Sequence, residues 1–215
     1  MKVVEIFNSI EGEGKRAGLP CTFIRLHGCN LNCSYCDSRY ACEDEDYMIM
    51  SVQEILDVVR SFGCPCITVT GGEPLIHKGI NQLLTELGDN GFQVNVETNG
   101  SILLYIPLLN IRNVFFTIDY KSLSSGMNEK MDYTSFSRLR EQDVIKCVVG
   151  SKEDMDDCLS FIEDLNPLCP VYLSPVFGKI EAHEIVEYIQ EHKLWNWHVQ
   201  LQMHKYIWDP DKRGV

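Results

Sequence analysis

The stretch "HGCNLNCSYCDS", residues 27–38, places Cys29, Cys33 and Cys36 in a C-x3-C-x2-C spacing. Three thiolates so close together are soft donors suited to zinc or to an iron–sulfur centre. A structural zinc is normally closed by four protein ligands, and here Cys21, Cys42 or His27 would have to supply the fourth at awkward spacing. An iron–sulfur cluster held at three corners needs no fourth side chain, and its bare iron can take a substrate or cofactor. Ligand softness and count therefore favour a 4Fe-4S cluster over zinc. A second peptide, "TGGEP" at 70–74, offers complementary chemistry. Gly71 and Gly72 permit close backbone approach to a ligand, and Glu73 can accept a hydrogen bond from an ammonium group.

Composition narrows the partners. The formal charge of −12 repels phosphate backbones and anionic lipid, so nucleic acid and membrane surfaces are not expected as ligands. The apolar run at the start of the sequence stops at Glu5, too short for an export signal or a membrane span, so a cytoplasmic location is expected. In that reducing compartment the ten cysteines are metal ligands or buried apolar groups rather than disulfides. At 215 residues, with 45% apolar and 23% charged side chains, residues 1–215 are expected to form a single domain.

The elements that must position these peptides follow from periodicity. Strands are expected at 21–26, 66–70, 92–98, 113–119, 144–149, 170–175 and 197–202. Helices are expected at 51–62, with Ser51 and Glu54 as a capping box, at 151–165, and at 181–192. Strands alternating with helices imply a parallel sheet with crossover helices, so the fold class is α/β, a partial (open) β/α barrel with a compact core. Ligands of such sheets sit beyond the carboxyl ends of the strands, where the cysteine loop, "GGEP", "NG" and "DYKSLSSGM" fall. The acidic segment 38–50 reads as a solvated excursion. Cys64, Cys66, Cys147, Cys158 and Cys169 read as apolar fillers, and Trp195, Trp197 and Trp208 as core packing.

The cysteine spacing, with Tyr35 between the second and third cysteines, and "TGGEP" after a strand together resemble the radical S-adenosyl-L-methionine (SAM) enzymes. That resemblance implies that the open iron chelates SAM, and that a reduced cluster cleaves it to a 5′-deoxyadenosyl radical that abstracts a substrate hydrogen. The segment "IFNSIEGEGKRAGLPCTFIRLHGCNLNCSYCDS" (6–38), with "ETNG" (97–100), "DYKSLSSGM" (119–127) and "QMHK" (202–205), is similar to the 7-carboxy-7-deazaguanine synthase family. Such enzymes serve the queuosine and deazapurine pathway. They convert 6-carboxy-5,6,7,8-tetrahydropterin to 7-carboxy-7-deazaguanine by radical ring contraction with loss of ammonia, using SAM catalytically and Mg2+ as an aid.

Carried to matching positions, the resemblance implies that Ile10, Glu11, Gly12 and Thr70 contact the pterin and that Arg25 pairs with its carboxylate. Tyr35, Cys36, Asp37, Gly72, Glu73 and Lys121 are implied to bind SAM, and Ser38 to ligate Mg2+. An electron donor such as flavodoxin or ferredoxin and a homodimer are implied as well. The chain departs from the family in three places: Glu11 where Gln is common, Ser38 where Thr is commoner, and Asp119-Tyr120-Lys121 where many relatives have "SPK". His204 and Lys205 either face the pocket or cap the last strand. Without the resemblance, Glu13 and Arg25 read as a surface salt pair. Two rival readings stand beside it: a small radical SAM activase that installs a glycyl radical on a partner enzyme, and a non-catalytic zinc module.

Overall fold

The computed structural model describes residues 1–210 and 212–215. One nine-stranded sheet runs through them in the order β3-β1-β2-β4-β5-β6-β7-β8-β9, where β1 is Lys2–Ile10, β2 Pro20–Leu26, β3 Met48–Ile49, β4 Cys66–Gly71, β5 Gln93–Thr98, β6 Val114–Lys121, β7 Val144–Val149, β8 Val171–Pro175 and β9 Trp197–Val199. The short link 11–19 turns β1 back antiparallel onto β2, and β3 is also antiparallel to β1. From β2 to β9 every neighbouring pair is parallel. The main crossover helices are α2 (Val52–Phe62), α3 (Ile80–Asp89), α6 (Lys152–Leu165) and α7 (Ala182–Glu191), and the shorter α1 (Tyr40–Glu43), α4 (Ile106–Leu109), α5 (Tyr133–Phe136) and α8 (His204–Ile207) lie in the connections. The end strands β3 and β9 do not pair with each other, so the barrel is open as expected.

Side-chain alternation explains how this sheet makes a site. Successive residues of a strand point to opposite faces. One face carries Ile67, Val69, Val94, Val96, Phe116, Ile118, Ile145 and Cys147, buried in the core with Leu56 and Val59 of α2, Leu83 and Leu87 of α3, Met155 and Ile162 of α6, and Ile185 of α7. The other face carries Thr68, Thr70, Asn95, Glu97, Thr117, Asp119 and Lys146, polar side chains facing the hollow of the open barrel. The helices are capped as the sequence predicts: Ser51 and Glu54 close the capping box of α2, and Ser51 has its counterpart in Ser151, which accepts from the Asp154 amide at the start of α6.

Several expectations need correction. Residues 2–10 form a long strand, although their broken apolar pattern does not mark one; pairing with β2 overrides it. The last strand ends at Val199 rather than Gln202. Segment 38–50 is not simply solvated, because it contains α1 and β3, and Ala41 is fully buried with its carbonyl accepting from the Gly28 amide at 2.8 Å. Cys147, Cys158 and Cys169 are buried, but Cys64 and Cys66 are only partly so. Trp197 packs in the core, whereas Trp195 is exposed.

Candidate active site

A cavity of ≈ 1030 Å³ opens at the carboxyl ends of the parallel strands. Its upper wall begins where β2 ends. Gly28 adopts a left-handed φ of 96° and turns the chain into the cysteine loop, and the Glu73 amide donates to the Gly28 carbonyl at 2.8 Å. A Cβ on Gly71 would stand 2.0 Å from the Leu26 carbonyl oxygen, and one on Gly72 would stand 2.2 Å from that of Gly28 and 2.9 Å from Cys29 Cβ. Glycine is therefore required at both positions for the "GGEP" backbone to lie against the cysteine loop.

Cys29, Cys33 and Cys36 line the cavity as free, half-buried thiols. The Cys42 thiol projects from α1 into the same wall, close to Cys29 and Cys36. That contact is the largest influence holding both down to about 6, and amide donors assist, from Leu31 to Cys29 and from Ser38 to Cys36. Asn99 Nδ2 adds a donor 3.5 Å from Cys29 Sγ. Burial pushes Cys33 the other way.

These thiols fit the cluster that the motif implies. A cubane spreads its thiolates over separate irons, whereas zinc draws them to one point. Among the described residues no three His, Cys, Asp or Glu side chains are arranged to hold a single metal ion. Cys21 is buried elsewhere with its thiol pushed up to about 12 by burial, and His27 bonds to the Asp44 carbonyl.

The floor is built differently, from the inward face of β4 to β7 and the β1–β2 link. The register sets Asp119 beside Lys146. Lys146 Nζ reaches Glu13 at 2.7 Å and Asp119 at 3.1 Å, and Lys121 Nζ reaches Asp119 at 2.7 Å. Burial opposes the charge on Lys146, but the Asp119 and Glu13 carboxylates outweigh it and hold the lysine protonated. Glu13 Oε1 is buried without a protein partner. Glu97 accepts from Thr70 Oγ1 at 2.8 Å, and burial pushes its carboxyl up. Glu11 is 2% exposed and hydrogen-bonded by Thr68; burial first, then the Glu97 charge, push it up to about 7 despite Arg16 at 3.7 Å.

The side walls complete the cavity. Arg25 Nε donates to Glu5 Oε1 at 2.8 Å, so its salt partner is Glu5, while Glu13 belongs to Lys146. Asp37 is held by Gln202 at 3.0 Å and Lys205 at 3.7 Å, which brings both His204 and Lys205 to the pocket wall.

Of the residues singled out from the sequence, Ile10, Glu11, Gly12, Arg25, Cys29, Cys33, Tyr35, Cys36, Asp37, Ser38, Thr70, Gly72 and Lys121 all line this one cavity. Glu73 is not among the lining residues. It is fully buried behind the wall, where its carboxylate accepts from the Leu75 amide (2.9 Å), Thr98 Oγ1 (2.8 Å) and the Asn99 amide (2.7 Å). It ties "GGEP" to the end of β5. Sequence reading missed Glu13, Tyr40, Cys42, Glu97, Asn99 and Lys146 as lining residues. Polar residues alternating with apolar ones on buried strands were the available signal for Glu97 and Lys146.

An open parallel β/α barrel with three cysteines on the loop after its first parallel strand defines a radical SAM enzyme, and the family model of the Radical SAM superfamily matches residues 23–163. Over its full length the chain is 44% identical to a 7-carboxy-7-deazaguanine synthase of Clostridium acetobutylicum, covering 99% of that protein, and 39% identical to one of Chlorobaculum tepidum, covering 97%. The chain belongs to the 7-carboxy-7-deazaguanine synthase family. In fold it resembles the crystal structure of QueE from Escherichia coli (TM-score 0.75, 23% identity, 93% of this chain and 92% of that one). It also resembles Streptococcus suis SuiB bound to S-adenosylmethionine (TM-score 0.61, 15% identity, 83% of this chain and 51% of that one). A 4Fe-4S cluster and SAM are the cofactors this membership implies. Among the described residues no helix is long and apolar enough to cross a membrane.

Proposed function

We propose that this chain, as a single radical SAM domain, converts 6-carboxy-5,6,7,8-tetrahydropterin to 7-carboxy-7-deazaguanine with loss of ammonia, using SAM catalytically and assisted by Mg2+. The observation that carries the reading is the polarity of the cavity: the carboxylates of Glu11, Glu13 and Glu97 on the floor, Glu11 buried and the other two partly so, and the Arg25 guanidinium on the wall, within the same space as the three cysteines. A pterin has the complementary pattern, with amino and ring N–H donors along one side and a carboxylate on the other.

Each group of the chain has a definable task. Cys29, Cys33 and Cys36 would hold the cluster, which together with SAM would supply the radical chemistry. Gly72 and Tyr35 shape the wall that receives SAM, with Asp37 and Lys121 as its polar contacts. Glu97 and the unpartnered oxygen of Glu13 accept ring and amino N–H groups, while Glu11, able to hold a proton near neutral pH, can donate to a ring acceptor. Thr70 and the Ile10–Gly12 backbone bound the ring. Arg25 orients the substrate carboxylate, since a guanidinium can donate two parallel bonds to it. Ser38, a hydroxyl beside Asp37 at the cavity wall, offers Mg2+ one oxygen ligand, and substrate carboxylate oxygens and waters supply the rest. Holding the ring and carboxylate at opposite ends fixes which carbon faces the radical.

A cytoplasmic location, a homodimer and a reductant such as flavodoxin or ferredoxin belong to the same proposal. The test is an anaerobic single turnover with cluster-loaded protein, reductant, SAM and the carboxytetrahydropterin, read by mass spectrometry. Formation of 7-carboxy-7-deazaguanine and ammonia is expected. SAM cleavage that leaves the pterin unchanged would contradict the assignment.

A further inference from the structure

The described residues beyond α8 lie against the cavity, near β1 and α1. Pro210, Lys212 and Arg213 line the cavity, and a Cβ at Gly214 would stand 3.7 Å from Glu5 Oε2. Arg213 lies over the Tyr40 ring, its Cζ 3.9 Å from the centroid, and its Nη1 is 3.3 Å from Asp44 Oδ2. Tyr40 Oη donates to Glu5 Oε1 at 3.0 Å, the same oxygen that accepts from Arg25 Nε at 2.8 Å. Burial pushes the Tyr40 hydroxyl up to about 12, so it remains a donor at working pH. Arg25 itself lies 5.7 Å from the Tyr40 ring, measured from Cζ to the centroid.

We propose that Tyr40 and Arg213 are positioning residues for substrate carboxylate recognition: Arg213 clamps the Tyr40 ring, Tyr40 fixes Glu5, and Glu5 sets the guanidinium plane of Arg25. The inference rests on the reading of Arg25 as the carboxylate partner. The order of effects follows from the kind of contact. The Arg213–Asp44 pair joins side chains 59% and 49% exposed, so solvent screens it and it contributes little. The Arg213–Tyr40 stack is moderate, and the Tyr40 hydrogen bond to a charged, mostly buried carboxylate is the strongest link. Glu5 engages Nε, so the chain of contacts fixes the guanidinium without consuming its terminal fork. Removing it frees Arg25 to rotate but leaves its charge in place.

The experiment titrates cluster- and SAM-loaded protein with two fluorescent probes, 6-carboxypterin and pterin lacking the carboxylate. Tyr40→Phe keeps the ring under Arg213 and removes only the hydroxyl. It is expected to weaken 6-carboxypterin about tenfold and leave pterin unchanged. Arg213→Ala is expected to weaken the carboxylate probe about threefold, with most of the loss recovered by Arg213→Lys. In turnover the KM for the carboxytetrahydropterin rises while kcat holds. Equal weakening of both probes by Tyr40→Phe would make Tyr40 a merely structural residue and overturn the proposal. Arg25→Ala separates the two layers. If it discriminates between the probes and the Tyr40 and Arg213 variants do not, the positioning inference fails alone; if Arg25→Ala does not discriminate, the Arg25 assignment fails and takes this inference with it.

Discussion

The cysteine wall and the charged floor share one cavity yet are built on opposite principles. The wall comes from one continuous peptide, 27–43, pressed against "GGEP", and glycines without room for a Cβ hold the two backbones together. Among its polar contacts are a backbone amide and an amide side chain aimed at sulfur. The floor gathers side chains from the β1–β2 link and from β4 to β7, and its contacts are side chain to side chain; the Lys146–Glu13 pair spans 133 residues of sequence. Backbone carries the wall and buried charge carries the floor. The wall should fail by losing its cofactor while the fold survives, and the floor by losing stability or substrate while the cofactors stay bound.

The sharpest way to break this contrast is Cys36→Ala. Loss of one thiolate should abolish cluster retention and SAM cleavage, checked by iron and sulfide analysis under argon, with thermal unfolding of the cluster-free protein little changed. A variant that keeps four irons would refute the division. On the floor, Lys146→Met leaves Glu13 and Asp119 buried near each other with only Lys121 for compensation. Breaking a buried ion pair from one side costs about 3–5 kcal/mol, a loss that urea denaturation would read directly. If that variant is as stable as the parent, the floor charges are solvated and the account of them is wrong.

Glu11 provides a pH-dependent test of the same contrast. Its carboxyl, ordinarily near 4.5, is pushed up to about 7 in the folded chain, so the folded state binds the extra proton between those limits. Stability should therefore fall as pH rises from about 4.5 to 7 and level off above, with Glu11→Gln removing up to about 3 kcal/mol of that slope. Glu73 shares the upward shift from burial, so part of the slope will survive the substitution. Glu97→Gln is a smaller change because shape and Thr70 are kept. It should weaken pterin binding about tenfold, the scale of one hydrogen bond to a charged group, and leave SAM binding alone.

The same division explains what could be read from the sequence. The cysteine loop was legible because its ligands are neighbours in one peptide, so spacing alone carries the chemistry. The parallel β/α order was legible from periodicity, and so was the Ser51 cap. The partners of Lys146 were not, because a lysine inside "VIKCVV" is marked only as a polar residue on a buried strand, and the carboxylates it meets lie on a different strand and in a distant turn. Glu73 was recognised as part of a motif, but its direction depends on where the end of β5 falls: Thr98 and the Asn99 amide there, with the Leu75 amide of its own turn, hold its carboxylate behind the wall. Segment 38–50 was misread from its acidic composition. The burial of Ala41 and the inward thiol of Cys42 depend on α1 docking against Gly28, a contact that composition does not encode.

The central claim is that three thiols hold a cluster whose fourth iron is left for SAM. Mössbauer spectra of anaerobically reconstituted, 57Fe-labelled protein, recorded with and without SAM, test it directly. One iron of the 4Fe-4S cluster is predicted to change its coordination when SAM is added while the other three do not. A cluster whose four irons are alike and indifferent to SAM, or a site that binds zinc and no sulfide, would contradict the account.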